Sequence, residues 1–145
     1  KKKIKIAKTI GFKKCLFPDH NLKKNIKKIF KEGADYCIES CGYTKTIENA
    51  FSFLNKKGKL IFSSHPSFNS KININPHDLI SGKKIIGSWG GGVNLDKDLK
   101  SIFHEIKKKQ SYFRFLSSKI YSFVDIIKAI NDFKKSKVVR PILKM

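Results

Sequence analysis

Residues 71–92 read KININPHDLISGKKIIGSWGGG. The first four, Lys71 to Ile74, alternate with the period of a strand. Asn75-Pro76 breaks the run, because proline cannot donate to a ladder and fixes its own φ. His77 to Ile80 is long enough for about one helical turn, which Ser81-Gly82 stops. Lys83 to Trp89 is extended again, with Ile85, Ile86 and Trp89 as its large apolar residues, and it runs into Gly90-Gly91-Gly92. A strand that ends in consecutive glycines needs φ values that other residues avoid, or needs a close approach to its backbone. A ligand and a bare turn both satisfy that requirement.

Outward from this stretch, the same alternation recurs. On the N-terminal side, Lys59 to Ser63 is a continuous apolar run of the kind buried on both faces of a parallel sheet, followed by the loop Ser64-His65-Pro66-Ser67. Ile47, Ala50, Phe51 and Leu54 fall at i, i+3, i+4 and i+7, and Lys56-Lys57-Gly58 reads as the basic last turn and stop of that helix. Ala34 to Ser40 is extended, with Tyr36 and Ile38 on one face and Cys37 on the other. Leu22, Ile26, Ile29 and Phe30 make a helical stripe from Asn21 to the stop at Gly33, with lysines on the solvated face. Lys14 to Phe17 is a strand candidate ended by Pro18-Asp19, and Lys1 to Ile10 is helical with Gly11 at its C-terminal stop.

On the C-terminal side, Asn94 caps a helix whose first turn holds Asp96 and Asp98 and which runs to Lys109. Tyr112 to Leu116 is apolar and has no assigned element. Ser118 to Phe123 reads as a strand, Ser122-x-x-Asp125 resembles a capping box, and Ile126, Ala129, Ile130 and Phe133 form a further stripe. Val138 to Leu143 closes as a strand. Strands and helices alternating with short connections predict an α/β layered fold with a mostly parallel sheet.

At 145 residues the chain is one domain's worth, with 40% hydrophobic residues. No apolar run of membrane-spanning length occurs. The formal charge of +21 raises nucleic-acid binding, but only Arg114 and Arg140 are arginine and the lysines are spread along the whole chain. Groove readers favour arginine and stack bases on aromatics, so an A+T-rich coding composition accounts for the lysines better than a nucleic-acid partner does. Cys15, Cys37 and Cys41 lack the spacing of a closed zinc site and read as buried, reduced thiols of a cytosolic protein. No G-x-G-x-x-G, phosphate-binding P-loop, H-E-x-x-H or nucleophile elbow is present. Ligands of open α/β sheets bind outside the carboxyl ends of the strands. That rule nominates Ser40–Gly42, Ser63–His65 and Ser88–Gly90, with Ser64 and Trp89 inside those runs; tight turns that need small residues are the competing reading. His65 is the one histidine placed like a site residue, and Glu39 is assigned to structure.

Gly33-Ala34-Asp35-Tyr36 through Glu39-Ser40-Cys41-Gly42, then Ile47-x-x-Ala50 and Lys57-Gly58-Lys59-Leu60, resembles the second half of the coenzyme domain of zinc-type (medium-chain) alcohol dehydrogenases. Asp78-Leu79-Ile80-x-Gly82-Lys83-Lys84-x-x-Gly87-Ser88 and Val139-Arg140-Pro141-Ile142-Leu143 continue the resemblance in register. It implies a partial Rossmann fold over 1–116 that lacks its first two strands. It also implies that 117–145 is a strand-helix-strand returning to a catalytic domain that lies elsewhere. It implies a nicotinamide-dependent oxidoreductase of alcohols, aldehydes or polyols using NAD or NADP, with zinc in the full-length protein and none bound by this chain.

By position, the resemblance sets Ser40, Cys41 and Gly42 against the cofactor, and the backbones of Ser63, Ser88 and Gly90 on the nicotinamide carboxamide. Ser64, His65 and Trp89 flank them, and the Ser64-His65 pair departs from the small or apolar residues common there. Arg140 is implied at the pyrophosphate, and 71–74 with 83–89 at the interface of a homo-oligomer. The glycine fingerprint is missing and residue 1 is lysine, so the expectation is a fragment that is inactive alone. Its partners are then the N-terminal catalytic domain and a small-molecule substrate. The alternative is a basic nucleic-acid-binding or non-catalytic interaction module. Lys14–Phe17, without its neighbouring strands, is expected to stand detached from the sheet or slipped against Ala34–Glu39.

Overall fold

Glycines and prolines punctuate the chain, and between them the computed structural model, which describes residues 2–110 and 119–145, places six helices and five strands. In order they are α1 (Lys2–Thr9), α2 (Leu22–Ile29), β1 (Ala34–Glu39), α3 (Thr44–Ser52), β2 (Leu54–Phe62) and α4 (Pro76–Ile80). Then follow β3 (Lys84–Gly87), α5 (Leu95–Lys108), β4 (Lys119–Ser122), α6 (Ile126–Lys134) and β5 (Pro141–Lys144). The chain divides into two units, one of Leu16–Val93 and one of Lys1–Cys15 with Asn94–Met145. Tyr112 to Leu116, Ser118 and the division expected between 116 and 117 lie outside the described residues.

In the first unit, β1, β2 and β3 form a parallel sheet in that order, with Cys37 beside Leu60 and Leu60 beside Ile85. Alternation turns Cys37, Leu60 and Ile85 to the face covered by α3, where Ile47, Phe51, Leu54 and Leu60 make the buried core. Ile74 packs against the same cluster. On the opposite face Tyr36 and Ile38 share a side as their period requires, and stand 67% and 78% exposed.

Lys14–Phe17 is in no ladder and no strand among the described residues lies beside it, so of the two outcomes expected for it the detached one is observed. Three expectations change here. The helix expected from Asn21 to Gly33 ends at Ile29, capped by the Phe30 N–H on the Ile26 carbonyl at 2.8 Å. α3 ends at Ser52 instead of Gly58, and Leu54 opens β2. The Ala34 N–H takes the Phe53 carbonyl at 2.8 Å, pairing Ala34 with Leu54, and the ladder resumes only at Tyr36 with Lys59. The residues between bulge out, held by the Lys57 N–H on Asn55 Oδ1 (2.9 Å) and Asn55 Nδ2 on Asp35 Oδ1 (2.6 Å). Lys71–Ile74 is not a strand: the Asn73 N–H donates to Glu48 Oε1 at 2.9 Å instead of to a ladder.

α4 forms as the sequence predicts. The Asn75 side chain accepts from the His77 N–H and Pro76 occupies the first turn. The Lys83 N–H closes on the Asp78 carbonyl and the Gly82 N–H on the Leu79 carbonyl, the paired bonds of a Schellman stop.

In the second unit, β4 and β5 are parallel, with α6 between them in the sequence. Tyr121, Ala129 and Val138 are its buried cluster, with Leu143 against it. Tyr121 Oη donates to Asp132 Oδ2 at 2.9 Å, and Lys119 and Lys137 approach the same carboxylate at 3.4 and 3.5 Å. The tyrosine hydrogen bond, with the two lysines, holds Asp132 below the usual carboxylate range. Asn94 caps α5 as expected: its side chain accepts from the Lys97 N–H, and its own N–H donates to Asp98 Oδ2. The Ser122-x-x-Asp125 box does not form, because a 3₁₀ turn over Phe123–Asp125 intervenes and neither residue caps with its side chain. The strand expected from Val138 begins only at Pro141, a first position that proline tolerates.

Candidate functional site at the strand ends

Parallel pairing in register brings the carboxyl ends of β1, β2 and β3 side by side. The Ser63 N–H donates to the Glu39 carbonyl at 3.0 Å, and the Ser88 N–H to the Phe62 carbonyl at 2.8 Å. These two bonds carry the sheet one residue beyond each strand, so Ser40, Ser63 and Ser88 stand in adjacent rows. No hydrogen bond among the described residues engages the Ser63 or Ser88 carbonyl or the Gly90 N–H.

Glu39 anchors the site from below. It is the one buried charged residue among those described, and its Oε1 accepts from the Cys41 N–H (2.7 Å), the Gly42 N–H (3.2 Å) and Thr46 Oγ1 (2.6 Å). Its other oxygen accepts from Ser64 Oγ. Burial pushes this carboxyl up, but the bonds from Ser64, Thr46, Cys41 and Gly42 together outweigh it and hold Glu39 below its ordinary value. One carboxylate thus ties the turn after β1, the start of α3 and the loop after β2 into a single frame. The structural role assigned to Glu39 holds, and Ser64 belongs to that frame through its hydroxyl.

Thr46 was not legible as a fourth donor, because its partner lies seven positions back along the chain and only the turn at Ser40–Tyr43 folds the two together. A buried carboxylate followed at once by a tight turn was the available signal, since such an acid must find donors in that turn.

Gly42 has φ +85°, and a Cβ there would lie 3.5 Å from the His65 carbonyl oxygen. The positive φ therefore favours glycine at 42, since a Cβ at 3.5 Å would be an ordinary contact. His65 in turn meets Trp89 edge to face, ring centroids 4.5 Å apart at 89°. The loop Ser63–His65 is thus in contact with both other runs, with the β1 turn through Glu39 and Gly42 and with Trp89 through His65. Trp89 is 83% exposed, a large aromatic surface held at the rim of the site. Gly90, Gly91 and Gly92 have φ of 59°, 80° and 68°, and a Cβ at Gly90 or Gly92 would meet nothing within 4 Å. Conformation, not crowding, is therefore what calls for glycine there.

Of the three thiols, Cys15 and Cys37 are half-buried and Cys41 is exposed in the turn, so the expectation of fully buried thiols is corrected. Burial pushes the Cys37 thiol up, which keeps it protonated and inert. Arg140 stands exposed just before β5, in the second unit. Among the described residues no group of three or more His, Cys, Asp or Glu side chains could hold a metal ion. No helix of the described residues is long and apolar enough to cross a membrane.

A row of free carbonyls and one free N–H beside an aromatic rim can bind a planar ring bearing an amide, which offers both donors and an acceptor. Comparison with known proteins bears on what that group is. Residues 1–108 match the family model described as "Zinc-binding dehydrogenase". The chain is 28% identical over 149 residues to alcohol dehydrogenase-like 1 of Arabidopsis thaliana, covering 99% of this chain and 38% of that protein. It is 25% identical over 148 residues to alcohol dehydrogenase 6 of Peromyscus maniculatus, covering 99% of this chain and 39% of the relative. Among solved structures, benzyl alcohol dehydrogenase from Acinetobacter calcoaceticus superposes with a TM-score of 0.83 at 22% identity, over 99% of this chain and 40% of the other. An alcohol dehydrogenase from Thermotoga maritima gives 0.82 at 15%, over 98% and 40%. The chain therefore spans about 38% of the length of the curated relatives it matches. Its α/β fold is that of the parallel, Rossmann-like part of such enzymes, and the chain belongs to the zinc-binding dehydrogenase family.

Proposed function

We propose that this chain is the C-terminal portion of a nicotinamide-dependent oxidoreductase, whose complete form moves a hydride between NAD or NADP and an alcohol, polyol or aldehyde. The observation that carries the reading is the row of strand ends held by Glu39, with the Ser63 and Ser88 carbonyls and the Gly90 N–H open beside Trp89. An amide-bearing nicotinamide fits this row. Its carboxamide NH₂ donates to the carbonyls and its oxygen accepts from Gly90, which fixes the ring's orientation before any chemistry. The Ser63 and Ser88 N–H groups already serve the sheet, so only their carbonyls take part. Ser40, Cys41 and Gly42 bound the cofactor from the β1 side, with Ser64 and His65 behind them. The cofactor supplies the hydride acceptor when bound; the chain's own residues orient it and shield one side.

Zinc and the proton relay belong in this reading to an N-terminal catalytic domain, and the pyrophosphate-binding turn to an upstream part of the coenzyme domain, so the chain is inactive alone. Residues 1–116 form the coenzyme-domain portion and 117–145 the return to that catalytic domain. Residues 71–74 and 83–89 form the interface of a homo-oligomer, where the free edge of β3 supports the reading. A cytoplasmic setting suits the three free thiols. Neither the family nor the relatives favour the nucleic-acid alternative.

Trp89 is the only tryptophan of the chain, so its emission reports the strand ends directly. Titration with reduced nicotinamide cofactor should quench that emission saturably, and G42V, which drives a side chain toward His65, should weaken the quench at least tenfold. A quench that G42V leaves intact would place the cofactor elsewhere.

A further inference from the structure

The helix face that the dehydrogenase reading leaves unused is the outer face of α2. Residues 21–31, NLKKNIKKIFK, hold five lysines and no acid. At 100° per residue, Lys23, Lys24, Lys27 and Lys28 fall within an arc of about 140° and about 8 Å of axis. With His20 and Lys31 they line an open concavity of about 760 Å³. Every close pair on this face is like-charged: Lys23–Lys27 and Lys24–Lys28 at i, i+4, and Lys24–Lys27 at i, i+3, an arrangement that destabilises a helix.

Unpaired lysines occur along the whole chain, but some on other helices and strands do meet acids, as Lys108 and Lys109 meet Glu105, and Lys119 and Lys137 meet Asp132. α1 also lacks acids and sets Lys5 and Lys8 together at i, i+3, but Lys3 lies about 140° or more from both, so no comparable four-lysine face forms there. None of the five lysines at α2 has an ion pair among the described residues.

We infer that the Lys23–Lys24–Lys27–Lys28 face of α2, with His20 and Lys31, binds a soluble polyphosphate. Several ammonium groups within 8 Å or so repel one another, so the ligand that gains most must carry several negative charges over that same length. Linked phosphates do so, with acceptor oxygens on each unit for ammonium donors. A membrane surface fits worse. Leu22, Ile26 and Ile29 of α2 are half-buried, and Ile26 lines a small cavity with Phe53 and Leu54, so the apolar side of α2 is only partly offered to lipid.

The test uses inorganic tripolyphosphate as probe, by calorimetric titration of the protein at about 0.15 M salt, where unfocused surface charge is screened beyond about 8 Å. Wild type should bind saturably and unfold at a higher temperature with the probe present. K24Q/K27Q/K28Q should weaken binding at least tenfold, while K97Q/K100Q/K107Q on α5, which removes the same charge, changes it less than twofold. Folding is not at risk in the first variant, since it removes like-charge pairs from α2. Equal losses in both variants would show generic charge attraction and overturn the inference, as would no binding at this salt. Tighter, equally lysine-dependent binding to duplex DNA or to vesicles of anionic lipid would also overturn it. The inference is independent of the nicotinamide reading: the α2 variant should keep the Trp89 quench by reduced cofactor, and loss of that quench would assign these lysines to the cofactor instead.

Discussion

Glu39 accepts four hydrogen bonds while only 4% exposed, and its charge makes each of them stronger than a neutral pair. E39Q keeps the shape but loses the charge and presents an NH₂ where a donor already sits. The variant should be destabilised by about 1.5–3 kcal/mol at pH 7, measured by urea unfolding. The sign with pH follows from the lowered carboxyl. Its contribution is complete above the unfolded-state value of about 4.3 and disappears as pH falls through the lower folded value. The difference between wild type and E39Q should therefore shrink below about pH 4; a constant gap would mean that charge is not what Glu39 contributes. At the same scale, the strand-end runs were legible because small residues and glycines cluster there. The His65–Trp89 contact was not, since nothing local links residues 24 positions apart.

Among elements, the boundary between α3 and β2 shows how a pattern is overruled. Leu54 satisfies the helical spacing of Ile47, Ala50 and Phe51, and it also satisfies the first buried position of a strand. Periodicity cannot choose between them; the Ala34 N–H does, by taking the Phe53 carbonyl and drawing Leu54 into the ladder. The bulge this creates brings Gly58 so close to β1 that a Cβ would lie 2.6 Å from the Ala34 carbonyl oxygen. G58A should then cost about 1–3 kcal/mol through overpacking, read as a lowered urea midpoint with an unchanged slope. An unchanged midpoint would show that the bulge yields. Leu60, fully buried between α3 and the sheet, should lose about 2–5 kcal/mol as L60A.

For the whole molecule, a net charge of +21 sets a background of self-repulsion. Raising salt from about 10 mM to about 150 mM shortens the screening length from about 30 Å to about 8 Å, so the thermal midpoint should rise by a few degrees. A midpoint that falls with salt would mean that specific ion pairs outweigh the repulsion. The sheet face carrying Tyr36, Ile38 and Ile86 is the other molecular feature, at 67%, 78% and 43% exposure. Parallel sheets are ordinarily covered on both faces, and an uncovered apolar face binds hydrophobic dyes. I38K should reduce dye binding and leave the unfolding midpoint nearly unchanged; an unaltered dye signal would place the responsible surface elsewhere.

The sequence by itself determined the α/β class, the parallel strands and the stop of α4 at Ser81-Gly82, because periodicity, capping residues and glycine or proline breaks act over a few neighbouring residues. It also determined which runs stand at strand ends, since those follow from the order of elements. Tertiary structure decided what depends on distant partners. Glu39 found Thr46 and Ser64, Leu54 entered β2 on the strength of β1, and Lys71–Ile74 turned from a ladder to Glu48. Lys14–Phe17 carries a strand's residues and forms none, because extended backbone becomes a strand only when a neighbour takes its hydrogen bonds.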